Sequence, residues 1–514
     1  MNGFSCDLRS HGTHQIEIKT RYPVSLKRNL RYDLDLYFFS PGQLQVNRRR
    51  YGVKKFFEDL KANTRYTTPG IPLSRLVDES FELSPLNRIN RILDGIGSNG
   101  PVKLEKSLYE MRTLANIYKA ELRDTRHVIE REITSVYNPE VLLARIIEHI
   151  TLIDTFLSHF RATMSRFIDP HIPDQLRTAI EWTDESISVA TEVERLKLFQ
   201  AVEPHDDLRA AADRLKPTLK EEAAYRIKAG YRSVVDPSGQ RKNEDLLYRE
   251  SILKKWSQSV MYMNSEQSRS VTQVGHIVAG VAAAVAMSFA VAATFLAGRL
   301  FASYSVPWAM LIVLSYIFKD RIKEILRSIL IRLVPRLIAD DAGVLIDPAV
   351  EKKVGGTKSS AVFRKPREIS TRIMALRNLS QNPFRNILPE EDILHYRRRI
   401  RINGKILQTN HQRLESITEI IRLKLDNWLE EMDDPENHLT FFEDDTIKKV
   451  VAPRVYHANV IIALTDGTET NYYRFRLILT RNGMVRVEDV KHDSGNQSAH
   501  QPYGYGKSSD NQEL

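Results

Sequence analysis

The chain contains a single cysteine, Cys6, among its 514 residues. One cysteine cannot close a disulfide within the chain, and its scarcity favours a reducing compartment. The first 15 residues include no apolar stretch, and Asn2 stands where N-myristoylation requires a glycine, so we expect neither a signal peptide nor that lipid anchor. Signatures of kinases, zinc proteases, serine hydrolases and Rossmann folds are also missing. The sequence therefore predicts no catalytic residue, no metal ligand and no cofactor.

Acidic residues are outnumbered by basic ones, which leaves a net charge of +10 and a pI near 9.3. A basic balance favours anionic partners such as lipid head groups or nucleic acid, of which nucleic acid is the less favoured here. The alternative is that the excess charge is spread over solvated helix faces.

One long apolar stretch, residues 277–318, contains a single charge, Arg299. A membrane-spanning helix needs about 20 mostly apolar residues. We therefore predict two spans, residues 277–297 and 300–318, joined by a turn at Gly298 and Arg299. Basic residues flank both outer ends, which places both termini in the cytoplasm. The prediction is an integral membrane protein, with the bacterial inner membrane as the default location.

The first predicted span is rich in small residues, and nine of its 21 residues are alanine. Small side chains at every fourth position let helices approach closely. Two such rows contain Gly280, Ala282, Ala284, Ala286, Ser288, Ala290, Ala292, Thr294 and Gly298. We predict that this face packs against the second span or another copy of the chain. The alternatives are a lipid-facing helix filled with alanine and a hairpin buried in protein.

Residues 319–338 combine one apolar helical face with flanking basic residues. This pattern is typical of a helix that lies on anionic lipid, although packing on a neighbouring domain would produce the same pattern. The cations that would contact an anionic ligand or lipid are Arg321, Lys323, Arg327 and Arg332.

The periodicity of the remaining chain predicts a mainly α membrane protein with small α+β regions at both ends. The predicted segments are an N-terminal α+β region at 1–85, a cytoplasmic helical bundle at 86–270, the transmembrane hairpin at 277–318, the interfacial helix at 319–338, a linker at 339–385, a C-terminal α+β domain at 386–492 and a disordered tail at 493–514.

A basic stripe is predicted where YRRRIRI precedes Asn403 and Gly404. On a strand, Arg397, Arg399 and Arg401 share one face, because side chains alternate with a period of two. Such a stripe could hold phosphates of a lipid or a nucleic acid, or it could form a solvated sheet face. The preceding VGGTKSS does not satisfy the spacing of a phosphate-binding P-loop, and we interpret it as part of the linker.

Three functional hypotheses follow. The first is a noncatalytic scaffold or sensor that oligomerises through its membrane hairpin and binds a protein or an anionic ligand. The second is an oligomeric pore or membrane-disrupting effector. The third is a membrane-bound, metal-dependent nuclease or phosphoesterase that uses Asp466, Asp489 and Lys491.

Overall fold

The computed structural model describes residues 4–24, 29–96, 104–135, 137–166, 173–267, 269–302, 305–333, 340–348, 351–377, 391–410, 413–467 and 469–490. In these ranges the N-terminal elements are β1 (Ser5–Ser10), β2 (Gln15–Pro23), β3 (Asn29–Ser40), α1 (Gly52–Asp59), β4 (Leu60–Tyr66), α2 (Leu73–Val77) and α3 (Pro85–Ile96). Alternating apolar residues on β2 and β3 turn one face of each strand to the core.

A helical bundle follows. It contains α4 (Leu104–Ile133), α5 (Pro139–Ser165), α6 (Asp174–Val202), α7 (Arg209–Leu215), α8 (Glu221–Ala229) and α9 (Gln240–Gln258). The Asn138 side chain accepts hydrogen bonds from the first backbone amides of α5, and Pro139 occupies its first position, so the sequence marks where this helix begins. Apolar side chains from α2 to α6 form the larger of two bundle cores.

The middle of the chain comprises β5 (Asn264–Gln267), α10 (Arg269–Leu300), α11 (Val306–Leu333), β6 (Asp341–Ile346), β7 (Lys353–Arg364) and α12 (Thr371–Arg377). The C-terminal part comprises β8 (Asp392–Asn403), α13 (Gly404–Asn410), β9 (Ser416–Lys424), α14 (Asp426–Leu429), β10 (Glu436–Glu443), β11 (Thr446–Pro453), β12 (Tyr456–Thr465), β13 (Thr470–Thr480) and β14 (Gly483–Asp489).

The described strands form three antiparallel sheets. The largest has the order β14-β13-β12-β3-β8-β7-β6-β5, a second has the order β1-β2-β9-β4, and β10 pairs with β11 alone. The two larger sheets contribute side chains to one shared core. Strands from both ends of the chain therefore build one body. Residues 339–385, expected to be a linker, contain β6 and β7, which lie toward one edge of the largest sheet.

The predicted fold class, a mainly α membrane protein, is wrong. Fourteen strands in antiparallel sheets combine with the helices in a mixed α and β structure. The prediction failed because it treated the two ends as separate small regions, whereas β3 from the first pairs with β8 and β12 from the second. Such pairings between distant segments leave no trace in local periodicity.

The predicted transmembrane hairpin and the integral membrane location are also wrong. In the described part of the chain, only the helix Ala279–Leu300 is long and apolar enough to cross a membrane, judged by length and composition alone. α10 continues through Arg299 to Leu300, and α11 begins only at Val306. The apolar portion of α11 therefore runs from 306 to the charged pair at Lys319 and Asp320. This portion is shorter than the roughly 20 residues that a span requires.

Candidate anion-binding groove

Arginines on both faces of β8 give this strand two different surroundings. Leu394, Tyr396, Ile400 and Ile402 point into the core between the two larger sheets. Arg398, with the same parity, is buried there. Arg397, Arg399 and Arg401 lie on the opposite face, where Arg397 and Arg399 are half-buried and Arg401 is exposed. The structure therefore places the three arginines of the predicted basic stripe on one side of the sheet.

A groove with a volume of about 690 Å³ lies where β3, β6, β7 and β8 run side by side. Its basic side chains come from three strands: Arg31 from β3, Lys353 and Lys358 from β7, and Arg399 and Arg401 from β8. The strand register explains this convergence, because Arg31 pairs with Arg401 and Lys358 pairs with Arg399. No aspartate or glutamate is among the residues that line the groove.

Few carboxylates neutralise these cations. Asp33 accepts from Arg31, at 3.1 Å, and lies 3.8 Å from the Arg399 guanidinium, so one acid serves two arginines. The Nε of Arg399 is buried and finds no hydrogen-bond partner in the described part of the chain. Within the same described ranges, Lys358 and Arg401 form no ion pair. The groove therefore has a local excess of positive charge and at least one unused donor.

Two glycines on β7 form the floor of the groove. A Cβ on Gly355 would overlap the backbone carbonyl oxygen of Arg401, and a Cβ on Gly356 would lie 3.1 Å from the carbonyl oxygen of Gly343. Gly355 therefore needs glycine for the close approach of the neighbouring strand, whereas a Cβ at Gly356 would require only a small shift of the backbone at Gly343. Because neither residue has a side chain, a ligand can reach the sheet between the flanking cations.

Next to the groove, Arg397 takes part in a polar cluster with Asp35 and His395. His395 Nε2 lies 2.6 Å from Asp35 Oδ1, and Arg397 Nε donates to the same oxygen at 2.7 Å. Burial acts to raise the pKa of Asp35, but the hydrogen bonds from His395 and Arg397 hold that pKa below its ordinary value. Arg364 donates to His395 Nδ1 at 3.1 Å, and this fixes the ring with its Nε2 proton toward Asp35. Asp35 thus neutralises Arg397, whereas Arg399 shares Asp33 with Arg31, and Arg401 forms no ion pair in the described ranges.

The other predicted site residues lie on separate elements. On α10, Ala282, Ala286 and Ala290 are buried and α10 contacts α11, whereas Thr294 and Gly298 are exposed. The second row of small residues, Gly280, Ala284, Ser288 and Ala292, is also exposed. Only the first three residues of one predicted row are therefore covered.

Arg321 and Lys323 lie on α11, and Arg321 is 3.7 Å from Glu324 on the same helix. The side chains of Arg327 and Arg332 lie outside the described part of the structure. These α11 cations and the arginines of β8 belong to different elements and form two separate groups.

The structure keeps Asp466 and Asp489, the two acids of the predicted nuclease site, apart. Asp466 follows β12 at the turn into β13, while Asp489 pairs with Phe475, several residues farther along β13. At about 3.3 Å per residue, this separates the two acids by more than 15 Å along the strand. Lys491 lies outside the described residues. Among the described residues, no group of three potential metal-ligating side chains comes together.

Arg31, Lys353 and Lys358 are groove residues that the sequence analysis missed. Lys353 and Lys358 fall in a run of Gly, Thr, Lys and Ser without alternating apolar residues, so this run gave no strand pattern. Arg31 alternates visibly with Leu30 and Tyr32, but its proximity to Arg401 depends on pairing between residues 370 positions apart.

Comparisons of the chain with protein-family models, with curated proteins and with solved structures give no match.

Proposed function

We propose that this chain is a noncatalytic binding protein, a sensor or scaffold, whose groove takes up a phosphate-bearing small molecule. The observation that carries this proposal is the set of five cations that line the groove without a carboxylate among the lining residues. Arginine and lysine are the side chains that proteins use most often to hold phosphate oxygens.

The dimensions and lining of the groove favour a small organic anion. Its volume of about 690 Å³ falls in the range of small-molecule pockets. Beside the cations, the partly exposed side chains of Leu30, Val344 and Ile406 supply apolar surface. A molecule with phosphate at one end and an apolar or aromatic group at the other would use both kinds of lining.

The unpaired cations are the expected contacts. Arg401 and Lys358 need not break an ion pair before they bind an anion, and the buried Nε of Arg399 would gain its missing acceptor. A hydrogen bond to a charged group contributes about 1.5–3 kcal/mol, so each lost contact should weaken binding roughly tenfold or more.

The test is a titration of the full chain with the fluorescent nucleotide mant-ATP and, separately, with inorganic pyrophosphate, followed by fluorescence and calorimetry. We expect saturable binding of mant-ATP that weakens steeply with salt and is lost in the double variant Lys358→Gln/Arg401→Gln. The matched control is Lys61→Gln, which removes one exposed cation from the other large sheet.

Each outcome has a defined meaning. Binding that the groove variant loses and the control retains supports the proposal, and recovery of unchanged nucleotide supports a noncatalytic role. Equal binding by the wild type and both variants, or no binding of either probe at millimolar concentration, contradicts it. The pore hypothesis depended on two membrane spans and loses its basis with them.

A further inference from the structure

The strands β10 and β11 form an arm, residues 436–453, that pairs with no other described strand. Every residue of β10 is exposed, and so are all residues of β11 except Lys448 and Ala452. The exposed apolar side chains of the arm are Leu439, Phe441, Phe442, Ile447, Val450 and Val451. An isolated two-stranded hairpin is marginally stable in water, and exposed apolar side chains of this density mark an interaction surface.

The turn of the arm determines which backbone groups point outward. Asp444 and Asp445 have φ angles of 52° and 57°, which is the geometry of a two-residue type I′ turn. In such a hairpin the closing pair, Glu443 and Thr446, exchanges both backbone hydrogen bonds. Hydrogen-bonded and non-hydrogen-bonded pairs alternate along an antiparallel hairpin. The N–H and C=O groups of His438, Thr440 and Phe442 therefore point away from β11. On β11, those of Ile447, Lys449 and Val451 point away from β10.

The two outer edges of the arm differ in chemistry. The β11 edge carries Lys448, Lys449 and Pro453, which are residues that discourage another strand from pairing. The β10 edge carries charge only at its ends, Glu436 and Glu443, with Asn-His-Leu-Thr-Phe-Phe between them. β10 is therefore the open edge.

We propose that β10 is the surface through which two copies of this chain associate, by antiparallel pairing of β10 with β10 of a second copy. A second copy fits because a two-fold interface is self-complementary, and one register centred on Thr440 satisfies the edge. In that register the outward groups of Thr440 pair with those of Thr440 in the second copy, and His438 pairs with Phe442.

The same register brings apolar side chains together. Leu439 of one copy lies opposite Phe441 of the other, a cross-strand pair of the kind that stabilises sheets. Asn437 lies opposite Glu443, and Glu436 lies opposite Asp444 of the turn, whose charge is neutralised by Lys448 of the same hairpin at 2.8 Å. The two hairpins become one four-stranded sheet, which passes the three-strand minimum for an independently stable sheet.

The test uses proline at matched edge positions. Thr440 and Lys449 both have outward N–H groups, so Thr440→Pro and Lys449→Pro each leave the hydrogen bonds between β10 and β11 in place. We expect sedimentation equilibrium of the full chain at micromolar concentration to show a dimer for the wild type and for Lys449→Pro. Thr440→Pro should weaken the dimer at least a hundredfold.

A disulfide cross-link supplies a second measurement, which does not require the arm to fold with a proline in β10. On a Cys6→Ser background, Thr440→Cys places one thiol at the centre of the proposed interface, at the Cα separation of about 5.5 Å that a disulfide accepts. We expect oxidation to give a covalent dimer with Thr440→Cys and little with the control Lys449→Cys.

The proposal is overturned by a wild-type chain that remains monomeric, or by an assembly that survives Thr440→Pro without a Thr440→Cys cross-link. The second result would move the interface elsewhere, for example to the exposed apolar side chains of α10 and α11.

Discussion

Replacement of Arg398 by methionine should locally destabilise the junction between the two larger sheets. Arg398 on β8 forms an ion pair with Glu419 on β9, and the two side chains are 4% and 0% exposed. Arg398 Nη1 also donates to Ser359 at 2.9 Å, and Thr64 donates to Glu419 at 3.4 Å. The substitution Arg398→Met keeps much of the volume but leaves a carboxylate in the core without its counter-charge.

The expected cost follows from this burial. Loss of one partner of a buried ion pair costs about 3–5 kcal/mol, because the remaining charge stays desolvated. The double variant Arg398→Met/Glu419→Leu removes both charges and should recover most of that loss. The matched control is Arg422→Met, which breaks the half-exposed pair with Glu17 on the same sheet and should cost less than about 1 kcal/mol.

The loss should also depend on pH. Burial raises the pKa of Glu419 above its ordinary value, and Arg398 opposes that rise. Burial acts to lower the pKa of Arg398, but the charge of Glu419 raises it on balance. Without Arg398 the pKa of Glu419 rises further in the folded state. A raised folded pKa contributes stability below the unfolded pKa that is lost as pH rises, so the deficit of Arg398→Met should grow as pH rises above the ordinary pKa of glutamate.

Hydrogen exchange at the amides of β8 and β9 is the suitable assay, because a chain of 514 residues with several cores is not expected to unfold in two states. The opening free energy of these amides should fall in Arg398→Met and return in the double variant. Two results would contradict the argument that this ion pair holds the sheets together. One is a cost for Arg398→Met no larger than that for Arg422→Met. The other is a cost for the double variant equal to the sum of the costs of Arg398→Met and Glu419→Leu.

Two further predictions concern pH and backbone packing. Burial, with the nearby charge of Arg195, lowers the pKa of His149 to about 4, so α5 should lose about 3 kcal/mol of stability as pH falls from 6.5 to 4. Hydrogen exchange of α5 measures this loss, and His149→Gln should abolish the dependence. Gly355→Ala should destabilise β7 and β8 by about 1–3 kcal/mol and weaken mant-ATP binding, whereas Gly70→Ala, which has open space, should leave thermal unfolding and binding unchanged. Equal effects of the two alanines would contradict the proposed floor of the groove.

Regular alternation and helical periodicity made several elements predictable. The patterns of residues 456–464, 472–480 and 485–490 predict three strands, close to the bounds of β12, β13 and β14, and the apolar spacing of residues 141–168 after Pro139 predicts α5. α5 has one buried face, and apolar residues with a period of 3.6 indicate that face in the sequence. β12 is buried on both faces and is indicated instead by its β-branched residues and by the turns that bound it.

Two strands escaped prediction for opposite reasons. β9 is buried on both faces, so SITEIIRLK shows no alternation, and the pattern of residues 412–432 predicts an amphipathic helix instead. β7 contains glycine, serine and lysine where a strand pattern needs apolar residues, and it was assigned to a linker. Both strands neighbour the functional surface: β7 lines the groove, and β9 carries Glu419, the partner of Arg398. The groove could therefore be predicted only as a basic stripe on β8.

The register of β8 links the core to the proposed binding site. Arg397, Arg398 and Arg399 are consecutive, and a slip of one residue would exchange the buried arginine for one that faces the groove. The arginines themselves do not select between these registers. The apolar side chains of Leu394, Tyr396, Ile400 and Ile402 do so, because a slip would expose all four, and Gly355 fits only against the present backbone of Arg401. Stability of the junction and charge of the groove are therefore set by the same strand, so a variant that loosens β8, such as Arg398→Met, should also weaken mant-ATP binding without touching a groove residue. Unchanged mant-ATP affinity in that variant would show that the groove keeps its geometry independently of the core.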